Sequence, residues 1–191
     1  MLTPFSYKVI GASPVSLDEA KKWFVDILDE DNDIVNDVIQ AATKLYEDET
    51  RIITRKSIGM ISMAKWHDCV HVEHRPIYGV DKIEYFVPGE EVPSSLGTDQ
   101  YAITVDGLIT TIHLVGVQDI QLKEIVSPVK ITLDVGYDIG ADQDDRKTPH
   151  DARVLIKGIG ALFYEYRNGP PEKMLDAALK YLSRYRGPAI A

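Results

Sequence analysis

Residues 31–46 read DNDIVNDVIQAATKLY. The apolar positions Ile34, Val35, Val38, Ile39, Ala42, Leu45 and Tyr46 fall at i, i+1, i+4, i+5, i+8, i+11 and i+12. That spacing is the stripe of a helix with one buried side. The acidic run Asp29-Glu30-Asp31-Asn32-Asp33 before it is too polar for a core and well placed to cap the helix. Exposed carboxylates there stabilise by about 0.3–1 kcal/mol each. Upstream, Ser16-Leu17-Asp18-Glu19 has capping-box spacing: the serine accepts from the third backbone N–H and the glutamate reaches back. Pro14 stops backward extension. These signals predict a first helix from Ser16 to about Leu28, with Leu17, Ala20, Trp23, Phe24 and Ile27 on one face.

The same period returns near the other end. Thr148-Pro149 opens a third helix, with Thr148 as N-cap, and Val154, Leu155, Ile159, Leu162, Phe163 and Tyr166 form its stripe. Gly158 and Gly160 cost that helix about 1 kcal/mol each relative to Ala; close approach of another helix is the natural compensation, and a simple propensity defect is equally allowed. Asn168-Gly169-Pro170-Pro171 ends it, and a last helix at about Glu172–Tyr185 turns Leu175, Ala178, Leu179 and Leu182 inward.

From Ile52 to about Val135 the period shortens to two. Val70 and Val72 alternate with polar neighbours up to Arg75-Pro76; Val80, Ile83, Tyr85 and Val87 make a strand closed by Pro88-Gly89. Glu90–Thr98 reads as a loop. Tyr101–Val105 and Leu108–Leu114 flank Asp106-Gly107, a hairpin signal, and Val129, Ile131, Leu133 and Val135 complete a last strand. Gly136–Lys147 reads as a polar, acidic loop. The expected fold is α+β: a small helical bundle from the N- and C-terminal helices, with an antiparallel β insertion in the middle. One domain over 1–191 is expected, with the helical pair at 13–50, the insertion at 52–136, and C-terminal helices at 148–186 packing on the N-terminal pair.

Composition bounds the function. The 191 residues are 45% apolar and 27% charged, proportions that exclude wholesale disorder and fibrous repeats. A chain of this length buries roughly 70% of its extended surface, enough for a core without staples. The single Cys69 forms no internal disulfide and fits a reducing compartment. No run of 18 apolar residues occurs, and MLTPFSYKVIGASP lacks the charged start and apolar stretch of a signal peptide, so no membrane association and a cytosolic origin are expected. The net charge of −9 argues against a groove that grips phosphates. Its distribution is uneven: residues 18–50 hold eleven acidic and three basic groups, whereas 146–186 hold nine basic and four acidic. Opposite ends can pair within one chain, or between neighbours head to tail, which closes into rings.

No residue is assigned to catalysis, cofactor binding or metal. His67, Cys69 and His71 would share one face of a strand with Glu73 beyond them, and all are acceptable zinc donors. Neighbouring ligands on one straight strand sit about 6–7 Å apart, too far to converge on one ion. Asp138, Asp142, Asp144 and Asp145 lack the spacing, central Gly and terminal Glu of a calcium loop. Phosphate loops, dinucleotide fingerprints, nucleophile elbows and helical His-Glu-x-x-His runs do not occur in the sequence. A metal-dependent enzyme, or a small-ligand module built on the β insertion, is the alternative class. The Tyr-rich end, Tyr164, Tyr166, Tyr181 and Tyr185 with Arg167, Arg184 and Arg186, reads either as amphipathic side chains at the boundary of a helical core or as a protein–protein contact, because Tyr and Arg are enriched at interface centres; the interface candidates are Tyr164, Tyr166, Arg167, Arg184, Tyr185 and Arg186.

Four stretches, in order, carry a family resemblance. Ser13-Pro14-Val15-Ser16-Leu17-Asp18-Glu19-Ala20-Lys21 is similar to a P-V-(S/T)-L-x-E-A-K helix start, and Asp31–Glu49, with Ile34, Ile39, Ala41, Ala42 and Glu47, to the helix that follows it. Arg75-Pro76-Ile77 with Val80-Asp81-Lys82-Ile83 is similar to a P-(V/I)-x-x-V-x-x-I strand start. Val135-Gly136-Tyr137, Thr148-Pro149, Ala152, Ile156, Tyr164-Glu165-Tyr166-Arg167 and Leu182-Ser183-Arg184-Tyr185-Arg186 are similar to a G-Y … P … A-I … L-Y-E-x-R … L-x-x-Y-R ending. The set, spanning residues 13–186, resembles the head–tail connector (head-completion adaptor) family of tailed bacteriophages and prophages. It departs from that pattern at Trp23 and Phe24, where the family often carries Arg. The resemblance implies a structural, non-enzymatic virion protein without a cofactor. It implies a homo-oligomeric ring, typically of twelve subunits, beneath the portal protein at the head–tail junction. A tail-side neck or tail-completion protein would lie beyond the ring, genome DNA would pass without sequence-specific binding, and assembly would occur in host cytoplasm.

Overall fold

The computed structural model describes residues 5–24, 27, 29–106, 108–138, 144–166 and 169–185. It is an α+β protein that divides into two compact units: Met1–Ile10 with Lys56–Gly136, and Gly11–Arg55 with Tyr137–Ala191.

The first unit is all β. Its strands are β1 (Phe5–Val9), β2 (Ser57–Met63), β3 (Cys69–Val72), β4 (Ile77–Tyr85), β5 (Ser94–Ser95), β6 (Tyr101–Asp106), β7 (Ile109–Leu114) and β8 (Val129–Val135). Five form a sheet of order β1-β2-β8-β4-β5, and three form a second of order β3-β7-β6; every pairing is antiparallel. β8 lies at the centre of the larger sheet, and its alternating Val129, Ile131, Leu133 and Val135 are fully buried. The predicted hairpin forms, with Asp106 opposite Ile109; Gly107 lies outside the described residues. Within the predicted loop Glu90–Thr98, Ser94 and Ser95 pair briefly with Tyr85 and Glu84.

Two strands carry no sequence signal of their own. β2 buries Ser57, Gly59, Ile61 and Met63 and leaves Met60 exposed, so small residues hide the alternation that marks a half-buried strand. β1 is half-buried on one side only and is held by its ladder to β2, Phe5 opposite Ile61 through Val9 opposite Ser57.

The second unit is helical: α1 (Leu17–Lys21), α2 (Asn32–Thr50), α3 (His150–Glu165) and α4 (Glu172–Leu182). The capping box of α1 forms in both directions, with Glu19 N to Ser16 Oγ and Ser16 N to Glu19 Oε2 each at 3.2 Å. The helix is far shorter than its stripe predicts. The chain leaves the helical path at Lys22, which turns Phe24 into the core against the Tyr164 ring, 5.4 Å between centroids. Trp23 is left half exposed, with the Lys157 ammonium 4.7 Å from its ring centre.

Val35, Ile39, Ala42 and Tyr46 of α2 pack with Ala152, Ile156 and Ile159 of α3 to form the helical core. The two α3 glycines differ. A Cβ on Gly160 would stand 2.8 Å from Ile39 Cδ1 and 3.1 Å from Phe24 Cζ, whereas Gly158 faces open space. Thr148 does not cap α3. Pro149 occupies the cap position without a side-chain bond, and the buried Thr148 hydroxyl donates instead to Thr54 O at 3.0 Å. The last helix gives way at Ser183 to a single 3₁₀ turn, Ser183–Tyr185.

Candidate subunit interface

The six interface candidates separate. Tyr164 belongs to the core: it is buried, and its hydroxyl donates to Asp31 Oδ2 at 2.6 Å. Asp31 sits at the cap position of α2 without capping it by its side chain; this acidic residue serves Tyr164 instead. Tyr166, half-buried, closes α3 through its backbone, with its N–H on Leu162 O and its carbonyl accepting from Gly169 N at 2.8 Å. Arg167 and Arg186 lie outside the described residues.

Arg184 and Tyr185 are brought together with a residue the sequence reading counted among the tyrosines of that end but did not single out, Tyr181. The hydroxyls of Tyr181 and Tyr185 are 3.2 Å apart and their rings 5.7 Å, with the Arg184 guanidinium 5.9 Å from the Tyr181 ring centre. The hydrogen bond with Tyr181, joined by desolvation, pushes the Tyr185 phenol above its ordinary value. This cluster ends α4, whose inward stripe is thinly covered: only Leu182 is fully buried, while Leu175, Ala178 and Leu179 are partly so. Met174 and Tyr181 are exposed. Beside them, an apolar cavity of about 270 Å³ opens between α3 and α4, walled by Trp23, Leu155, Gly158, Ile159, Ala178 and Tyr181. Gly158 is therefore a wall residue, which the helical period alone could not indicate.

The unit is stapled from within by ionic groups that no composition count reveals. Glu47, essentially without solvent contact, accepts from Thr54 N at 2.9 Å, Thr54 Oγ1 at 2.7 Å and Arg55 Nη2 at 2.6 Å. Arg153 of α3 reaches Glu19 of α1. These contacts tie α2 to the segment that follows it and α3 to α1.

In the β unit, regular strand structure begins at Cys69, so His67 lies before it. Cys69 Sγ is 3.6 Å from His71 Nε2, and His71 Nδ1 is 2.9 Å from Thr111 Oγ1. Among the described residues no three His, Cys, Asp or Glu side chains are gathered as a metal site needs. A cleft of about 580 Å³ is lined by Pro88, Gly89, Gln121, Leu122, Lys123 and Glu124, a wall about as polar as it is apolar, unlike the predominantly apolar lining of a ligand pocket.

No protein-family model matches the chain, and no curated protein does. Solved structures match it nearly end to end. A chain of the virion of a native gene transfer agent (GTA) particle aligns with a TM-score of 0.75 at 15% identity, covering 97% of both chains. Chains from the neck of an empty GTA particle computed with C6 symmetry and the neck of a native GTA particle computed with C12 symmetry align at 0.69, with 17% and 16% identity and 97% coverage of both chains. The chain shares the fold of a GTA particle protein. Both the β unit and the helical unit lie within the aligned span, so the GTA-like fold includes the helices that carry Tyr181, Arg184 and Tyr185.

Proposed function

We propose that this chain is the subunit of a head–tail connector, a structural ring beneath the portal that joins a DNA-filled head to its tail. The observation that carries the reading is the end-to-end fold match to chains of GTA necks resolved with sixfold and twelvefold symmetry. A twelve-subunit ring, the portal protein on one side and a tail-side neck or tail-completion protein on the other are its partners. The protein acts by contact and catalyses nothing.

The physical chemistry agrees. A cyclic contact is heterologous, so each copy needs two different complementary surfaces. Exposed Asp33 and Asp37 of α2 and exposed Lys180 and Arg184 at the end of α4 are the candidates for such a pair between copies. A protein of net charge −9 around the channel repels DNA and lets it slide. On this reading the protein works in the virion at the head–tail junction, after assembly in host cytoplasm.

Light scattering after size exclusion, of the protein alone and mixed with the portal of its own particle, tests the reading. A portal-bound ring is the expected result. Failure to associate with portal at any salt concentration rejects it.

A further inference from the structure

Edge strands differ in how a protein protects them, and among the described residues β6 is an edge without such protection. Natural edges are blunted by short length, bulges, Pro or charge. The larger sheet follows that rule: β5 is two residues long, and the β1 edge carries Lys8. β6 does not. It is the last strand of its sheet, and its six residues Tyr-Ala-Ile-Thr-Val-Asp stay in register with β7 without a bulge. It contains neither Pro nor Lys, and its only charge is the terminal Asp106.

Its side chains point the same way. Val72, Thr110 and Val105 stand in one cross-strand row, as do Val70, Ile112 and Ile103. Along these rows the buried face is covered at β3 and β7 and uncovered at β6: Val72 is 2% exposed, Thr110 3% and Val105 66%. An open backbone edge beside exposed Ile103 and Val105 is what strand addition uses.

We infer that β6 pairs with β3 of the next copy, extending the three-stranded sheet from subunit to subunit. This rests on the ring-subunit reading above. A ring contact is heterologous, so β6 needs an element other than itself, and β3 is the opposite open edge of the same sheet. The two edges differ in charge: from 83 to 122, around β6, there is no Lys or Arg and His113 is the one imidazole, whereas β3 lies among Lys65, His67, His71, His74 and Arg75 as well as Asp68 and Glu73. Direction agrees as well. β3 and β6 both run antiparallel to β7 and hence parallel to each other, and a twelvefold operator turns each copy by only about 30°. The new pairing is therefore parallel.

The single cysteine supplies the test, because Cys69 lies on β3 and Ala102 shares its row on β6, with His113 of β7 between them. Within one copy the two positions are two strand spacings apart, about 9.6 Å, beyond disulfide reach. Ala102→Cys and, to allow a register shift of two, Thr104→Cys are each assembled with the portal and mildly oxidised. The expected result is a reducible ladder of oligomers up to the closed ring, abolished by Cys69→Ser. Val105→Lys is expected to lower ring yield about tenfold while leaving the unfolding midpoint of the isolated chain unchanged. Rings that form on portal without either crosslink overturn the strand pairing alone. Crosslinked dimers of Ala102→Cys in the Cys69→Ser background overturn it in favour of β6 on β6. Failure to form any ring on portal overturns the ring reading and this inference together.

Discussion

The Arg55 guanidinium holds the carboxylate of Glu47, Nη2 to Oε2 at 2.6 Å, where Glu47 is nearly sealed from solvent and Arg55 is largely covered. Two backbone segments depend on that carboxylate, because it also accepts from the amide and hydroxyl of Thr54 just beyond α2. Removing one partner of such a pair leaves an uncompensated buried charge. Arg55→Ala is expected to lower stability by about 3 kcal/mol in urea unfolding, the lower end of the buried-pair range because the arginine keeps some solvent contact. Glu47→Gln, which keeps an acceptor for Thr54, is expected to cost less. Equal losses would mean that the ion pair contributes nothing beyond the hydrogen bonds.

Gly158 and Gly160 predict opposite signs from the same substitution. Gly158→Ala adds a methyl in open space and gains helix propensity, about 1 kcal/mol of stabilisation. Gly160→Ala gains the same propensity but drives its methyl into Ile39 and Phe24 within the core, and overpacking there costs roughly 1–3 kcal/mol. Thermal melting should rise for the first variant and fall for the second. Two changes of the same sign would contradict the packing.

Tyr164→Phe keeps the ring against Phe24 and removes only the hydroxyl that donates to Asp31. A hydrogen bond to a charged, buried acceptor contributes about 1.5–3 kcal/mol, so denaturant unfolding should show a loss in that range. Portal association, measured under conditions where both proteins remain folded, should not change. A selective loss of association without loss of stability would move Tyr164 from the core to the contact surface.

Tyr181 and Arg184 predict the reverse. Both are exposed at the end of α4, so Tyr181→Ala with Arg184→Glu should move stability by about 0.5 kcal/mol or less. Truncating an aromatic and an arginine at the centre of a contact costs about 2 kcal/mol or more, which pull-down or light scattering with portal reads as a loss of at least about tenfold. Unchanged association would remove the end of α4 from the proposed interface.

What the sequence determined by itself is what nearest neighbours along the chain control. The stripe of α2, the capping box at Ser16, the alternation of β8 and the Asp106-Gly107 hairpin all depend on residues within a few positions of one another, where period and turn chemistry act directly. Tertiary structure decided the rest, since it turns on partners far apart in the chain. Thr148 has the chemistry of an N-cap, yet it bonds to Thr54 because that carbonyl is brought beside it. β1 becomes a strand through pairing with β2, and α1 stops early where Phe24 turns into the core beside Gly160. The tyrosines of one end look alike in the sequence, but Tyr164 is buried on Asp31 and Tyr181 is left at the surface. Local pattern specifies the strongly periodic elements; the packed fold adds those without a pattern of their own, and it alone specifies which groups are consumed by the core and which remain available to another molecule.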